Sequence, residues 1–225
     1  AALLVYSSRA HLRAGDYAEA ERNAAEVGER LGFRPVALGA EGAETVSLDI
    51  EAHERIFDGL SPELKRLLSD ATAMRGLAQS LAGRSKEAKL ALQEAVRMAK
   101  KIGEPRILSV GLSSLAFVLQ RENQLSEAKR AYEEALSAAE QAGDAGSVAT
   151  IRLNLATIAK QQADLATASR HLEAAVDMGK RSGRVATLRQ ALLNLANLDL
   201  YLSRVARARV SLDALAEQKA ELPPQ

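Results

Sequence analysis

Small residues recur along this chain of 225 residues at a fixed interval of 40 positions, called the repeat interval below. Three columns keep this interval. They are an alanine column (Ala88, Ala128, Ala168 and Ala208), a second and nearly all-alanine column (Ala95, Ala135, Ala175 and Leu215), and a glycine column (Gly103, Gly143 and Gly183). A fixed interval in this range is typical of stacked supersecondary units, each of which buries its apolar face against its neighbours. The pattern therefore predicts a repeat protein rather than a globule with one core.

Within each unit, apolar residues recur every three or four positions, which is the spacing of one helix face. The predicted helices lie near 62–82, 85–102, 105–121, 125–142, 146–161, 165–182, 185–202 and 205–219. An earlier pair is predicted from Gly15, which ends one helix, and from Asp16, which caps the next. We therefore expect an all-α, right-handed superhelical solenoid of about five antiparallel helix pairs.

The repeat pattern divides the chain into four parts. Residues 1–32 are predicted to form the first helical hairpin, residues 33–60 an irregular insertion, residues 61–219 four repeats, each as long as the repeat interval, and residues 220–225 a frayed tail. In the insertion, we expect a loop from Phe33 to Ser47 and one short helix capped by Asp49. Two interpretations of the insertion stay open, which are a segment packed along the edge of the solenoid and a lid or docking element.

Composition favours helices and excludes several classes of protein. Hydrophobic residues make up 47% of the chain but aromatic residues only 3%, so alanine and leucine supply most of the apolar surface. The formal net charge of +1 is smaller than is usual for a protein that binds nucleic acid or a membrane surface. The chain has no cysteine and no apolar run of the roughly 18 residues that span a bilayer. These features predict a cytoplasmic protein.

The columns resemble the tetratricopeptide repeat family. That family has a small residue early in the first helix of each pair and Ala-x-x-x-aromatic in the second, as in Ala128 and Tyr132. The early small positions here are Gly76, Ala116, Ala156 and Ala196. The interval of 40 departs from the usual 34, and tryptophan is absent from the whole chain. Variants with this longer interval occur in bacterial peptide-responsive regulators and in scaffold proteins that bind polarity or motor cargo.

The resemblance implies a concave wall, lined by the first helix of each pair, that binds a peptide or protein segment. Carried onto this chain, the candidate wall residues are Ser114, Phe117, Arg121, Asn154, Thr157, Lys160, Asn194, Asn197 and Tyr201. Asn154 and Asn194 are one repeat interval apart, and a carboxamide can donate to and accept from a peptide backbone at once. The alternative is that each asparagine bonds a neighbouring helix. Arg121 and Lys160 favour an acidic or carboxylate-bearing ligand.

No pattern in the sequence indicates catalysis. The three histidines, His11, His53 and His171, lie in separate segments, and no two have the spacing of metal ligands. The chain has neither a glycine-rich phosphate loop nor a nucleophile elbow. We therefore expect a protein that is not an enzyme and that uses no cofactor and no metal.

The function predicted from the sequence is a non-catalytic scaffold or regulatory module, and alternatives remain. One is a domain that senses a small molecule or a signalling peptide within a larger transcription or signalling regulator, because the chain begins at Ala1 without methionine. Another is self-association through a terminal repeat, where Val210, Leu212 and Leu215 would be exposed. The C-terminal part is locally basic (Arg181, Arg184, Arg189, Arg204, Arg207 and Arg209). An acidic partner is favoured there over nucleic acid, since no aromatic residues are interleaved for base stacking.

Overall fold

The computed structural model describes residues 2–33 and 54–220, with side chains up to residue 217. This part of the chain is almost entirely helical and contains five helix pairs, which confirms the predicted all-α repeat fold. The chain divides into two compact units, Ala1–Ala131 and Tyr132–Gln225, called unit 1 and unit 2 below. Each unit is described by itself.

The ten paired helices that the structure describes follow one another along the chain. A short turn joins the two helices of each pair. The helices are α1 (Ala2–Ala14), α2 (Tyr17–Arg30), α3 (Pro62–Leu81), α4 (Ser85–Ile102), α5 (Pro105–Arg121), α6 (Leu125–Gln141), α7 (Ala145–Gln161), α8 (Leu165–Ser182), α9 (Val185–Tyr201) and α10 (Val205–Ala220). Residues 54–59 are also helical. The bounds of α3 to α10 differ from those predicted by at most one residue at either end, because turn and capping residues mark these ends in the sequence.

The predicted helix cap at Asp16 is formed, and Ser61 caps a second helix in the same way. A carboxylate oxygen of Asp16 accepts a hydrogen bond from the Glu19 amide at 3.1 Å, which starts α2. The hydroxyl of Ser61 accepts one from the Leu64 amide at 3.4 Å, which starts α3. Each bond satisfies an amide that a helix N-terminus otherwise leaves without a partner.

The small residue early in each pair is explained by how closely the two helices approach. A Cβ atom at Gly76 in α3 would lie 2.6 Å from the Cγ atom of Leu92 and 3.1 Å from the carbonyl oxygen of Ala88, both in α4. In the first pair, Ser8 occupies the matching position and its hydroxyl donates to the carbonyl oxygen of Ala20 at 2.6 Å. A larger side chain at this position would separate the helices.

Both units have cores built from these pairs. In unit 2, residues of α7, α8 and α9 form one cluster that includes Ala156, Ala168 and Leu172. In unit 1, one cluster contains Phe33 and Phe57, which belong to the predicted insertion and pack with Leu68 and Met98.

The two phenylalanines are 2% and 3% exposed, so these parts of residues 33–60 are joined to the core of unit 1. The predicted loop after Phe33 and the predicted cap at Asp49 lie outside the described residues. The division into a hairpin, an insertion, four repeats and a tail therefore stays a prediction.

One turn position requires a left-handed backbone in every pair, although glycine does not always occupy it. The residues there have positive φ: Gly15, Gly83, Asn123, Ala163 and Ser203. Ala163, with φ of 59°, is strained here, because it has a Cβ atom and no polar side chain that could hydrogen-bond the local backbone.

We expect Ala163→Gly to raise the free energy of unfolding by about 0.5–1 kcal/mol, since it removes this strain. Chemical denaturation measures the change. Gly83→Ala is the reverse control: φ is +82° and a Cβ atom there would meet no atom within 4 Å, so only the backbone is strained. It should be less stable than the wild type. An Ala163→Gly variant that is no more stable than the wild type would contradict the expectation.

Candidate functional site

The candidate residues of unit 2 lie on two helices that contact each other, α7 and α9. On α7 they alternate with the buried residues Leu155, Ala156, Ile158 and Ala159, which pack into the core and leave the candidates on the opposite face. The candidates on the two helices are Asn154, Thr157 and Lys160, and Asn194, Asn197 and Tyr201. Both asparagines Asn154 and Asn194 are half-buried and the other four residues are exposed, Tyr201 by 76%. We call this set the unit 2 wall.

The two half-buried asparagines keep most of their hydrogen-bonding capacity. Asn154 makes no side-chain hydrogen bond within the described residues. The carbonyl oxygen Oδ1 of Asn194 accepts a hydrogen bond from Nε2 of Gln190 at 3.1 Å, one turn earlier on the same helix. In this part of the chain, then, neither side chain bonds a neighbouring helix, which was the alternative role. Each carboxamide can still donate to a ligand.

The remaining polar side chains of the unit 2 wall differ in what they can offer. The hydroxyl of Thr157 donates to the carbonyl oxygen of Leu153 at 3.1 Å. Because its one proton is used in this bond, the hydroxyl can only accept a hydrogen bond from a ligand. Lys160 is exposed and forms no ion pair with any residue that the structure describes. Its charge is therefore available to an acidic group.

The candidate residues of unit 1 are held by contacts within the protein itself. Ser114 is 8% exposed, and its hydroxyl donates to the carbonyl oxygen of Val110 at 2.9 Å. Nη1 of Arg121 donates to the carbonyl oxygen of Ser80 at 3.0 Å, and its guanidinium carbon lies 5.9 Å from the centre of the Phe117 ring. These contacts hold Arg121 and Phe117 together and leave Ser114 little surface for a ligand.

A carboxyl group lies on α3, the first helix of the second pair in unit 1. Asp70 on α3 lies 3.9 Å from Nη2 of Arg9 on α1. Burial raises the pKa of Asp70, and the nearby charge of Arg9 partly opposes this. This local charge differs from that of the unit 2 wall, where Lys160 is the charged candidate.

Carboxylates neutralise most of the basic C-terminal residues. Asp199 on α9 is 1% exposed and lies 3.7 Å from Arg204 and 3.5 Å from Arg207. Arg207 also donates to Glu173, and this hydrogen bond lowers the pKa of Glu173. Arg184 pairs with Asp144 and Arg209 with Asp213, each at 3.9 Å. Four of the six basic C-terminal arginines are therefore paired with carboxylates in the described structure.

An apolar groove of about 540 Å³ lies on the pair formed by α9 and α10. Its lining residues are Ala186, Arg189, Gln190, Leu193, Leu215 and Ala216. The sequence identified Arg189 only as part of a basic region and did not place it in a groove. A comparison of positions one repeat interval apart could have shown this, because arginine stands here where the preceding repeat has Ala149.

Metal-binding and membrane-spanning features are absent from residues 2–33 and 54–220. No group of three or more histidine, aspartate or glutamate side chains in these ranges could hold a metal ion. None of the helices in them is long and apolar enough to cross a membrane.

Residues 108–181 match the family model of the tetratricopeptide repeat. This match confirms the resemblance that the residue columns indicate, over the part of the chain that includes Ala128, Tyr132 and Asn154. Tetratricopeptide repeats are generally protein-binding modules and are typically non-catalytic. No curated protein matches the sequence.

Solved structures of three proteins have a similar fold at low sequence identity. BtubC (BKLC) from P. vanneervenii has a TM-score of 0.65 at 15% identity, and the match covers 100% of this chain and 92% of that one. The putative kinesin light chain TPR-like repeats of Podosopora anserina have a TM-score of 0.62 at 15% identity, covering 97% and 94%. The apo form of RapI has a TM-score of 0.61 at 11% identity, covering 99% and 77%. At these identities the similarity shows the fold alone.

Proposed function

We propose that this chain, which carries a tetratricopeptide repeat in residues 108–181, binds an extended segment of a partner protein along the unit 2 wall. The observation that carries the proposal is the pair of half-buried asparagines, Asn154 and Asn194, whose carboxamides keep free hydrogen-bonding capacity in the described structure. The role is that of a non-catalytic scaffold or regulatory module in the cytoplasm.

The spacing of the two asparagines suits an extended main chain. Packed helices lie roughly 8–10 Å apart, and an extended chain advances about 3.3 Å per residue. Two asparagines in matching positions on the contacting helices α7 and α9 would therefore bond the ligand backbone about every third residue. Because such bonds involve only the ligand main chain, they tolerate many ligand sequences.

Side chains around the asparagines add selectivity. Lys160 is exposed without an ion pair in the described structure, so it favours an acidic side chain or a C-terminal carboxylate. Tyr201, 76% exposed on α9, offers an apolar ring with a polar hydroxyl. The helices that carry these residues are already folded, which limits the ordering cost of binding on this side of the interface.

The test is affinity capture from a cell lysate with mass spectrometry, comparing the wild type with the Asn154→Ala/Asn194→Ala variant. We expect a partner that the wild type captures and the variant does not. Asp177→Ala/Glu217→Ala is the matched control, since it also removes two polar side chains one repeat interval apart, but from exposed positions on α8 and α10. It should capture the partner as the wild type does, and circular dichroism should show that both variants are folded.

Two results would count against the proposal. Equal capture by the wild type and the Asn154→Ala/Asn194→Ala variant would mean that the unit 2 wall does not hold the partner. No captured protein with either would instead favour the alternative function, in which the chain senses a small effector.

A further inference from the structure

The groove between α9 and α10 exposes apolar side chains on one face of a helix pair. Leu193 is 44% exposed and Leu215 is half-buried, and the exposed Ala186 and Ala216 complete the apolar part of the lining. An exposed apolar surface of this kind in a folded protein often marks an interaction site.

The preceding repeat shows what a surface of this design holds. Five of the six lining residues have a counterpart one repeat interval earlier that is buried: Gly146, Ala149, Leu153, Ala175 and Val176. Ala149 and Ala175 are completely inaccessible to solvent, and Leu153 is 8% exposed where Leu193 is 44% exposed. The same surface is therefore covered in one repeat and uncovered in the next, within the described part of the chain.

What covers the surface in the preceding repeat is a helix. Leu153, Ala175 and Val176 share a core cluster with one face of α9. That face consists of Leu188, Ala191, Leu192 and Leu195, which stand at positions i, i+3, i+4 and i+7. This is the spacing by which amphipathic helices fill apolar grooves.

We propose that the groove between α9 and α10 binds an amphipathic helix of a partner protein, with Leu-x-x-Ala-Leu-x-x-Leu or a similar apolar face and an acidic residue opposite Arg189. The helix takes the place on α9 and α10 that α9 takes on α7 and α8. This inference goes beyond the unit 2 wall, because none of the wall residues lines the groove and the ligand is a helix rather than an extended segment.

The charge of Arg189 favours a partner helix that carries an acidic residue. Arg189 is exposed, has no ion pair among the described residues, and replaces the buried Ala149 of the preceding repeat. A helix with only apolar and basic residues would leave this guanidinium against an apolar or like-charged surface, whereas a glutamate or aspartate would pair with it. A symmetric contact with a second copy would bring two Arg189 side chains to one interface, which disfavours the chain itself as the occupant.

The test uses two synthetic helical peptides of 17 residues, the length of α9, and the full 225-residue chain. Both peptides carry leucine, alanine, leucine and leucine at the four face positions, but one has glutamate and the other lysine at the flanking positions. Calorimetry gives the affinities, and the backbone amide signals of the labelled protein locate the peptide. We expect the glutamate peptide to bind more tightly and to shift signals of α9 and α10.

Substitutions in the groove should lower the affinity for the glutamate peptide by different amounts. Leu193→Asp places a charge in the apolar lining and should reduce the affinity by roughly tenfold or more, because the peptide would bury this carboxylate against apolar side chains without a partner. Arg189→Ala restores the residue of the preceding repeat and should reduce it by up to about fivefold. Val210→Asp is the matched control: Val210 is 69% exposed on α10 but does not line the groove, and its variant should bind normally.

The Asn154→Ala variant separates this inference from the proposed function, because Asn154 lies on α7 and does not line the groove. It should bind the glutamate peptide as tightly as the wild type does. Equal binding by the wild type and Leu193→Asp would overturn the inference, as would equal affinity for the two peptides. A dimer that forms with rising concentration and is abolished by Leu193→Asp would also overturn it, since the occupant would then be a second copy.

Discussion

Leu172→Ala is expected to lower the free energy of unfolding by about 2–5 kcal/mol. Leu172 on α8 is 1% exposed and belongs to the unit 2 core cluster that includes residues of α7 and α9. Removing its branched end takes apolar atoms out of a packed interior and leaves a cavity that the surrounding helices fill only partly. Chemical denaturation followed by circular dichroism measures the loss.

The repeats supply a control for this substitution. Leu212 stands one repeat interval after Leu172 but is 43% exposed. Leu212→Ala should therefore cost much less, within about 1 kcal/mol. Equal losses for the two variants would mean that the α8 position is not enclosed as the structure shows.

Ala168→Leu should lower the free energy of unfolding by about 1–3 kcal/mol for the opposite reason, which is overpacking. Ala168 on α8 is 0% exposed and shares a cluster with Ala156 on α7, which is 1% exposed. A leucine at this position has no room unless the two helices separate. The midpoint of thermal unfolding should fall accordingly.

The control is a leucine placed at an alanine that has room around it. Ala206 on α10 is exposed, so Ala206→Leu should leave the midpoint nearly unchanged. If the midpoint of thermal unfolding of Ala168→Leu equals that of the wild type, α7 and α8 do not approach each other closely at the alanine column.

The sequence predicts the helices well because the same kinds of residues recur at the same positions of each repeat. The column that contains Ala168 and the caps at Asp16 and Ser61 are local features, and local features determine where helices begin and which face is buried. The left-handed backbone at Ala163 is less evident, since alanine gives no sign of positive φ. Its alignment with Asn123 and Gly83, one and two repeat intervals earlier, would have shown it.

The site is predicted less completely, because it depends on contacts between side chains. The matching positions of Asn154 and Asn194 follow from the repeat interval, but the hydrogen bond from Gln190 to Asn194 does not. The hydrogen bond from Arg121 to Ser80 joins α5 to α3. It uses a guanidinium group that the sequence analysis assigned to ligand binding. The burial of Asp199 likewise depends on how α9 packs.

The measurement that tests the central claim most directly is a titration of the wild-type chain with the captured partner segment, followed through the side-chain amide signals of Asn154 and Asn194. We predict that both signals shift together and that the Asn154→Ala/Asn194→Ala variant binds roughly tenfold to a hundredfold more weakly, since about 1 kcal/mol is lost per hydrogen bond. If the segment binds while both signals stay in place and the variant keeps its affinity, the partner is not held by the unit 2 wall.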